Sequence, residues 1–70
     1  MALFEVYVNG LLVASSETGL GGATITYSGG NANGQALIPL DLTATQNDVK
    51  VVTTDNNGVS ASRSIGYANP

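Results

Sequence analysis

The sequence contains no cysteine and no histidine. Their absence excludes disulfides, thiolate or imidazole metal sites, and every Ser-His or Cys-His nucleophile pair. Positive charge is almost as scarce. Lys50 and Arg63 stand against Glu5, Glu17, Asp41, Asp48 and Asp55, for a net charge of -3 and a pI near 4.1. So little basic charge excludes nucleic acid, whose phosphates need clustered Lys and Arg, and argues equally against an anionic membrane surface. No apolar run approaches the roughly 18 residues of a membrane helix. The opening Met1-Ala2-Leu3-Phe4-Glu5 has neither the basic segment nor the apolar core of a signal peptide. No Asn-x-Ser/Thr glycosylation site occurs. The expectation is a protein kept in a cytoplasm, or assembled there into a larger particle such as a virion.

Size sharpens this. Residues 1–70 make a single small domain, and a chain this short buries only about 60% of the surface its unfolded form exposes. With disulfides and metals excluded, partner chains are the remaining stabiliser. Only 10% of the residues are charged, against roughly 25% in ordinary soluble domains. Much of the surface is therefore expected to lie against another protein. Disorder is excluded because Leu, Val, Ile and Phe make about a quarter of the chain, above the roughly 20% that marks disordered sequences. They also fall in patterned runs.

Those runs have the period of strands. Asn-Gly pairs at Asn9-Gly10, Asn33-Gly34 and Asn57-Gly58 mark turns. Phe4–Val8 and Leu11–Ser15 flank the first of them as a hairpin, in a register that sets Val8 against Leu11, Val6 against Val13 and Phe4 against Ser15. The core face then carries Phe4, Val6, Val8, Leu11 and Val13. The opposite face, with Leu3, Tyr7 and Leu12, is unusually apolar for solvent. Residues 17–22 and 29–34 read as Gly/Asn loops. Between them Ala23–Ser28 alternates strictly, with Ala23, Ile25 and Tyr27 on one side. Gln35–Leu42 reads as a further strand, at an edge or broken where Pro39 cannot donate. Residues 43–48 read as a connection. Val49–Thr54 and Val59–Ile65 form a second hairpin around Asp55–Gly58, and residues 66–70 a tail. The pattern predicts an all-β fold of five to six strands, a small antiparallel β-sandwich or barrel.

The stretch Leu40-Asp41-Leu42, then Asn47–Gly58 and onward to Ile65, resembles the C-terminal half of bacterial and phage immunoglobulin-like domains. Phe4–Gly10, ending Val-Asn-Gly, is similar to a middle strand of such domains. The resemblance covers about half the chain. It implies a sandwich that at this length lacks strands, and a missing strand leaves an open edge that invites pairing from another chain.

No chemistry competes with that reading. Nothing pairs the five acids for general acid–base work, so no catalytic residue and no cofactor are expected. Asp55-Asn56-Asn57-Gly58 lacks the length and the bidentate Glu of a calcium loop, and reads as a turn in which Asp55 bonds its own backbone. Gly19-Leu20-Gly21-Gly22 has no Lys after it and fails as a phosphate loop. It reads as a mobile or interface loop. Of the aromatics, Phe4 and Tyr27 belong to core faces, while Tyr7 and Tyr67 are exposed or meet a partner. Arg63, on an inward-looking face, is expected at the rim and paired with an acid. Leu3, Tyr7, Leu12, Leu20, Leu37 and Tyr67 are the candidate interface residues. The function expected is a non-enzymatic structural protein that self-associates or joins a larger assembly, the nearest class being phage capsid cement or decoration proteins and fibre modules. The rival is a recognition module that binds a glycan or protein through loops 17–22 and 29–34.

Overall fold

In the computed structural model, which describes residues 1–68, Asn9-Gly10 reverses the chain between β1 (Leu3–Val8) and β2 (Leu11–Ser15). Both turn residues take positive φ, 52° and 82°, the backbone of a type I′ hairpin turn. Val8 pairs with Leu11, as the sequence predicts. Beyond that pair the register departs from expectation. A bulge makes Val13 an extra residue, so Tyr7 faces Leu12 but Val6 faces Ala14 and Glu5 faces Ser15. The expected pairs Val6–Val13 and Phe4–Ser15 do not form. One extra residue swaps the faces of everything after it. Ala14 thus turns inward and is fully buried, while Val13 stays half-buried against the core. Leu11, expected in the core, is 69% exposed. It lies at the end of the sheet beside an open cleft that it shares with Val13, Pro39 and Leu40.

The largest correction concerns residues 29–42. Gly29 and Gly30 both have positive φ, 56° and 82°, so they alone form the turn. Residues 31–34 are not loop. They belong to β4 (Asn31–Gln35), which pairs antiparallel with β3 (Thr24–Ser28). Gly34 serves packing instead of turning. A Cβ there would stand 2.9 Å from Cε1 of Phe4, so the missing side chain admits the core ring. The expected strand over 35–42 is also absent, since beyond Gln35 the chain runs irregularly across the sheet. It lends Ala36 and Ile38 to the core and leaves Leu37, Leu40 and Leu42 exposed. Tyr27, expected inside, is 68% exposed and donates its hydroxyl to the carbonyl of Met1 at 3.0 Å.

The remaining strands are longer than the pattern suggests. β5 spans Gln46–Thr54 and β6 spans Ser60–Ala68. Residues 46–48 are therefore strand and not connection, and Gly66, Tyr67 and Ala68 are strand and not tail. The last two residues of the expected tail lie outside the described residues. The six strands are all antiparallel and form two sheets, β2-β1-β5-β6 and β3-β4. The architecture is that of a small β-sandwich, and among the described residues no helix is long and apolar enough to cross a membrane. The core is Phe4, Val6, Val8, Ala14, Ala23 and Val49. The second layer supplies Ala23, Ile25, Ala36 and Ile38 to it, and β6 supplies nothing. Every residue of β6 is exposed.

One buried polar side chain joins three separate parts of the chain. Asn47, at the start of β5, is fully buried. Its Oδ1 accepts from Nδ2 of Asn9 and from the backbone N–H of Asp41, both at 3.0 Å. Its Nδ2 donates to the carbonyl of Asp41 at 2.9 Å. Asn9 in turn accepts from the Asp48 N–H at 2.9 Å. The first hairpin, the irregular crossing and β5 thus meet on one carboxamide. Next to it, the hydroxyl and then the N–H of Thr43 bond the Asp41 carboxylate, at 2.6 and 2.9 Å, and hold its pKa below the ordinary value of 3.8. A carboxylate with a lowered folded pKa stabilises the fold above its unfolded pKa, and that stability is lost as pH falls through the folded value. Acid titration from 3.8 downward should therefore loosen this corner in the parent chain. Asp41→Asn should remove that part of the acid dependence, and identical acid transitions in the two proteins would refute it.

Candidate interaction surface

The exposed strand β6 follows from the register. In an antiparallel ladder, residues alternate between those bonded to the neighbour and those whose N–H and C=O point away. At the β5–β6 turn, Asp55 N–H donates to the Val59 carbonyl at 2.9 Å, which makes 55 and 59 a hydrogen-bonded pair. Counting on from it, Ala61, Arg63, Ile65 and Tyr67 bond to β5. Ser60, Ser62, Ser64 and Gly66 then direct their backbone groups outward, at the free border of the sheet. Nothing among the described residues bridges to that border.

The side chains divide the same way. Val49 faces Ile65, Val51 faces Arg63 and Thr53 faces Ala61, so the inner face of β6 carries Ala61, Arg63, Ile65 and Tyr67. Serines and Gly66 occupy its outer face. The β3–β4 layer stops short of this half of the sheet. A cleft of about 300 Å³ between Phe4, Gly34, Ile38 and Val51 opens beside another of about 370 Å³ over Val51, Thr53, Ala61 and Ile65. Val51 and Thr53 belong to both, so one apolar trough crosses the inner face to the free edge. Arg63 stands exposed on it, opposite Val51.

The six residues singled out from the sequence do not converge. Leu3, Tyr7 and Leu12 lie on the outer face of the larger sheet, the first two half-buried. Leu20 and Leu37 are exposed where Leu37 N–H bonds the Gly21 carbonyl. Tyr67 alone belongs to the inner face of β6, 46% exposed. Ile65, at 45% exposed and central on that face, was missed. Its signal was the Val59-Ala61-Arg63-Ile65 alternation, read as one half of a closed hairpin.

The loops offer less than the sequence promises. Residues 29–34 are a tight turn and a strand. Residues 17–22 do form a loop, but it is strapped to the sheet. Ser15 N–H donates to the Leu20 carbonyl at 3.1 Å, Gly19 N–H to the Ser15 carbonyl at 2.9 Å, and Ser16 N–H to the Phe4 carbonyl at 3.0 Å. Asp55 is committed as expected, since its Oδ1 accepts from Asn57 and Val59 N–H at 2.8 and 2.9 Å. Among the described residues, no three acids gather as a metal site. On the outer face an open cleft of about 710 Å³, of mixed polarity, lies between Tyr7, Asp48, Lys50 and Ser64. No family model matches the chain, and no curated protein or solved structure shows significant similarity to it.

Proposed function

We propose that this protein is a non-enzymatic structural module that works by self-association, with copies pairing along the β6 border that its own strands leave open. The observation that carries this is β6: nine residues, all exposed, at the border of the sheet and beside an apolar trough. A long unprotected edge strand pairs readily with another chain. The low charge density and the lack of any crosslink support the same reading. A capsid cement, decoration or fibre role is the setting we propose, because such proteins act through subunit packing. That setting rests on composition and fold class.

Solution mass by light scattering, from high micromolar to nanomolar concentration, tests the reading. A defined oligomer is expected, with an unfolding midpoint that falls on dilution as mass action requires. A monomer at every concentration, with one constant midpoint, would overturn it.

A further inference from the structure

We infer that the occupant of the β6 edge is the β6 edge of a second copy, paired antiparallel about a two-fold axis at Ser64. This inference rests on the self-association proposed above and specifies its geometry. The outward-pointing backbone groups of β6 belong to even-numbered residues, so the ladder allows only registers that bond even to even. With Ser64 on the axis, Ser62 pairs with Gly66 and Ser60 with Ala68, and the strand is matched over all its described residues. The resulting ladder holds about ten hydrogen bonds, as many as a typical protein interface.

The side chains select this register over its neighbours. It sets Arg63 opposite the partner's Ile65 and Ala61 opposite the partner's Tyr67, in the closer, non-hydrogen-bonded pairs. Small therefore meets large, and no charge meets its like. Shifting one step toward the strand's start sets Arg63 against the partner's Arg63, a like-charge pair that destabilises a ladder. Shifting one step the other way would set Ser60 opposite the partner's Pro70, which has no backbone N–H to donate. The strand carries Arg63 as its only charge, so nothing else on it opposes a copy of itself. The two open troughs then lie side by side on one face of an eight-stranded sheet.

The absence of cysteine makes crosslinking a clean test. An equimolar mixture of Ala61→Cys and Tyr67→Cys chains, mildly oxidised, should give the mixed disulfide dimer. Each variant alone should give little, because equal positions lie about 20 Å apart along the strands and a disulfide needs Cα atoms within about 7 Å. Ser64→Pro removes a donor that points away from the parent fold, where an edge strand tolerates proline. It should fold and associate about 30-fold more weakly or worse, since both central hydrogen bonds go. If that variant does not fold, Ile65→Lys places a charge on the exposed inner edge and should give the same monomer. An oligomer that survives both substitutions, with no excess of mixed disulfide, would overturn the β6 pairing and leave self-association through another surface. A parent chain that is monomeric throughout would overturn both.

Discussion

Replacing Asn47 with alanine is expected to lower the unfolding midpoint by roughly 10–25 °C. The carboxamide makes three hydrogen bonds to Asn9 and Asp41 and is fully buried. Each lost bond costs about 1 kcal/mol, and more where a partner stays dry. The vacated volume adds a cavity term. Together these reach about 3 kcal/mol, against a total stability of roughly 3–10 kcal/mol for a chain of this length. Asn9→Gly is the calibrating variant. It keeps the positive φ that the turn needs and removes only the Asn9 side of the network, so its loss should be smaller. Asn47→Asp should be at least as harmful as alanine at neutral pH. It keeps the shape, buries a charge, and turns the donor to the Asp41 carbonyl into an acceptor. Thermal unfolding of the three variants decides the matter. An Asn47→Ala midpoint within a few degrees of the parent would show that the crossing is held by apolar contacts alone.

That network also marks where the sequence stops being readable. The all-β class, both outer hairpins and the Asp55 turn follow from period-two alternation and from Asn-Gly or Asp-x-x-Gly chemistry, which are local. What failed needed a distant partner. Asn47 looks like any polar residue before a strand, and it becomes a buried centre only because Asn9, 38 residues away, meets it and the Asp41 backbone. Gly34 follows an Asn and so reads as a turn, yet its role is set by the ring of Phe4. The Val13 bulge has no signature in Leu-Leu-Val-Ala-Ser, and it alone moves Ala14 into the core. The candidate surface shows the same division. That some strand edge stays open was legible, because too few strands for a closed sandwich must leave one. That β6 is such a border, and that Ile65 sits on it, depended on pairing that only the assembled sheet reveals.

The bulge supplies the second large effect, in a pair of substitutions one residue apart. Gly21 and Gly22 have the same φ, 67°, so alanine at either incurs the same left-handed backbone cost of about 1–2 kcal/mol. Their surroundings differ. A Cβ on Gly22 meets nothing within 4 Å, whereas one on Gly21 lies 2.5 Å from the Val13 carbonyl oxygen and 3.0 Å from Cβ of Ala14. Neither neighbour can yield easily, since one is backbone at the bulge and the other is fully buried. Relieving the overlap means lifting the loop, which draws away the Gly21 carbonyl that receives Leu37 N–H at 2.9 Å and the Leu20 carbonyl that receives Ser15 N–H. Overpacking of this kind adds about 1–3 kcal/mol. Gly21→Ala should therefore be less stable than Gly22→Ala by that margin in denaturant titrations. Amide exchange at Ser15 and Leu37 should speed up in the first variant alone. Equal stabilities would mean that the loop lifts without cost, and that the burial of Ala14 is set by β1 and not by the strap across it.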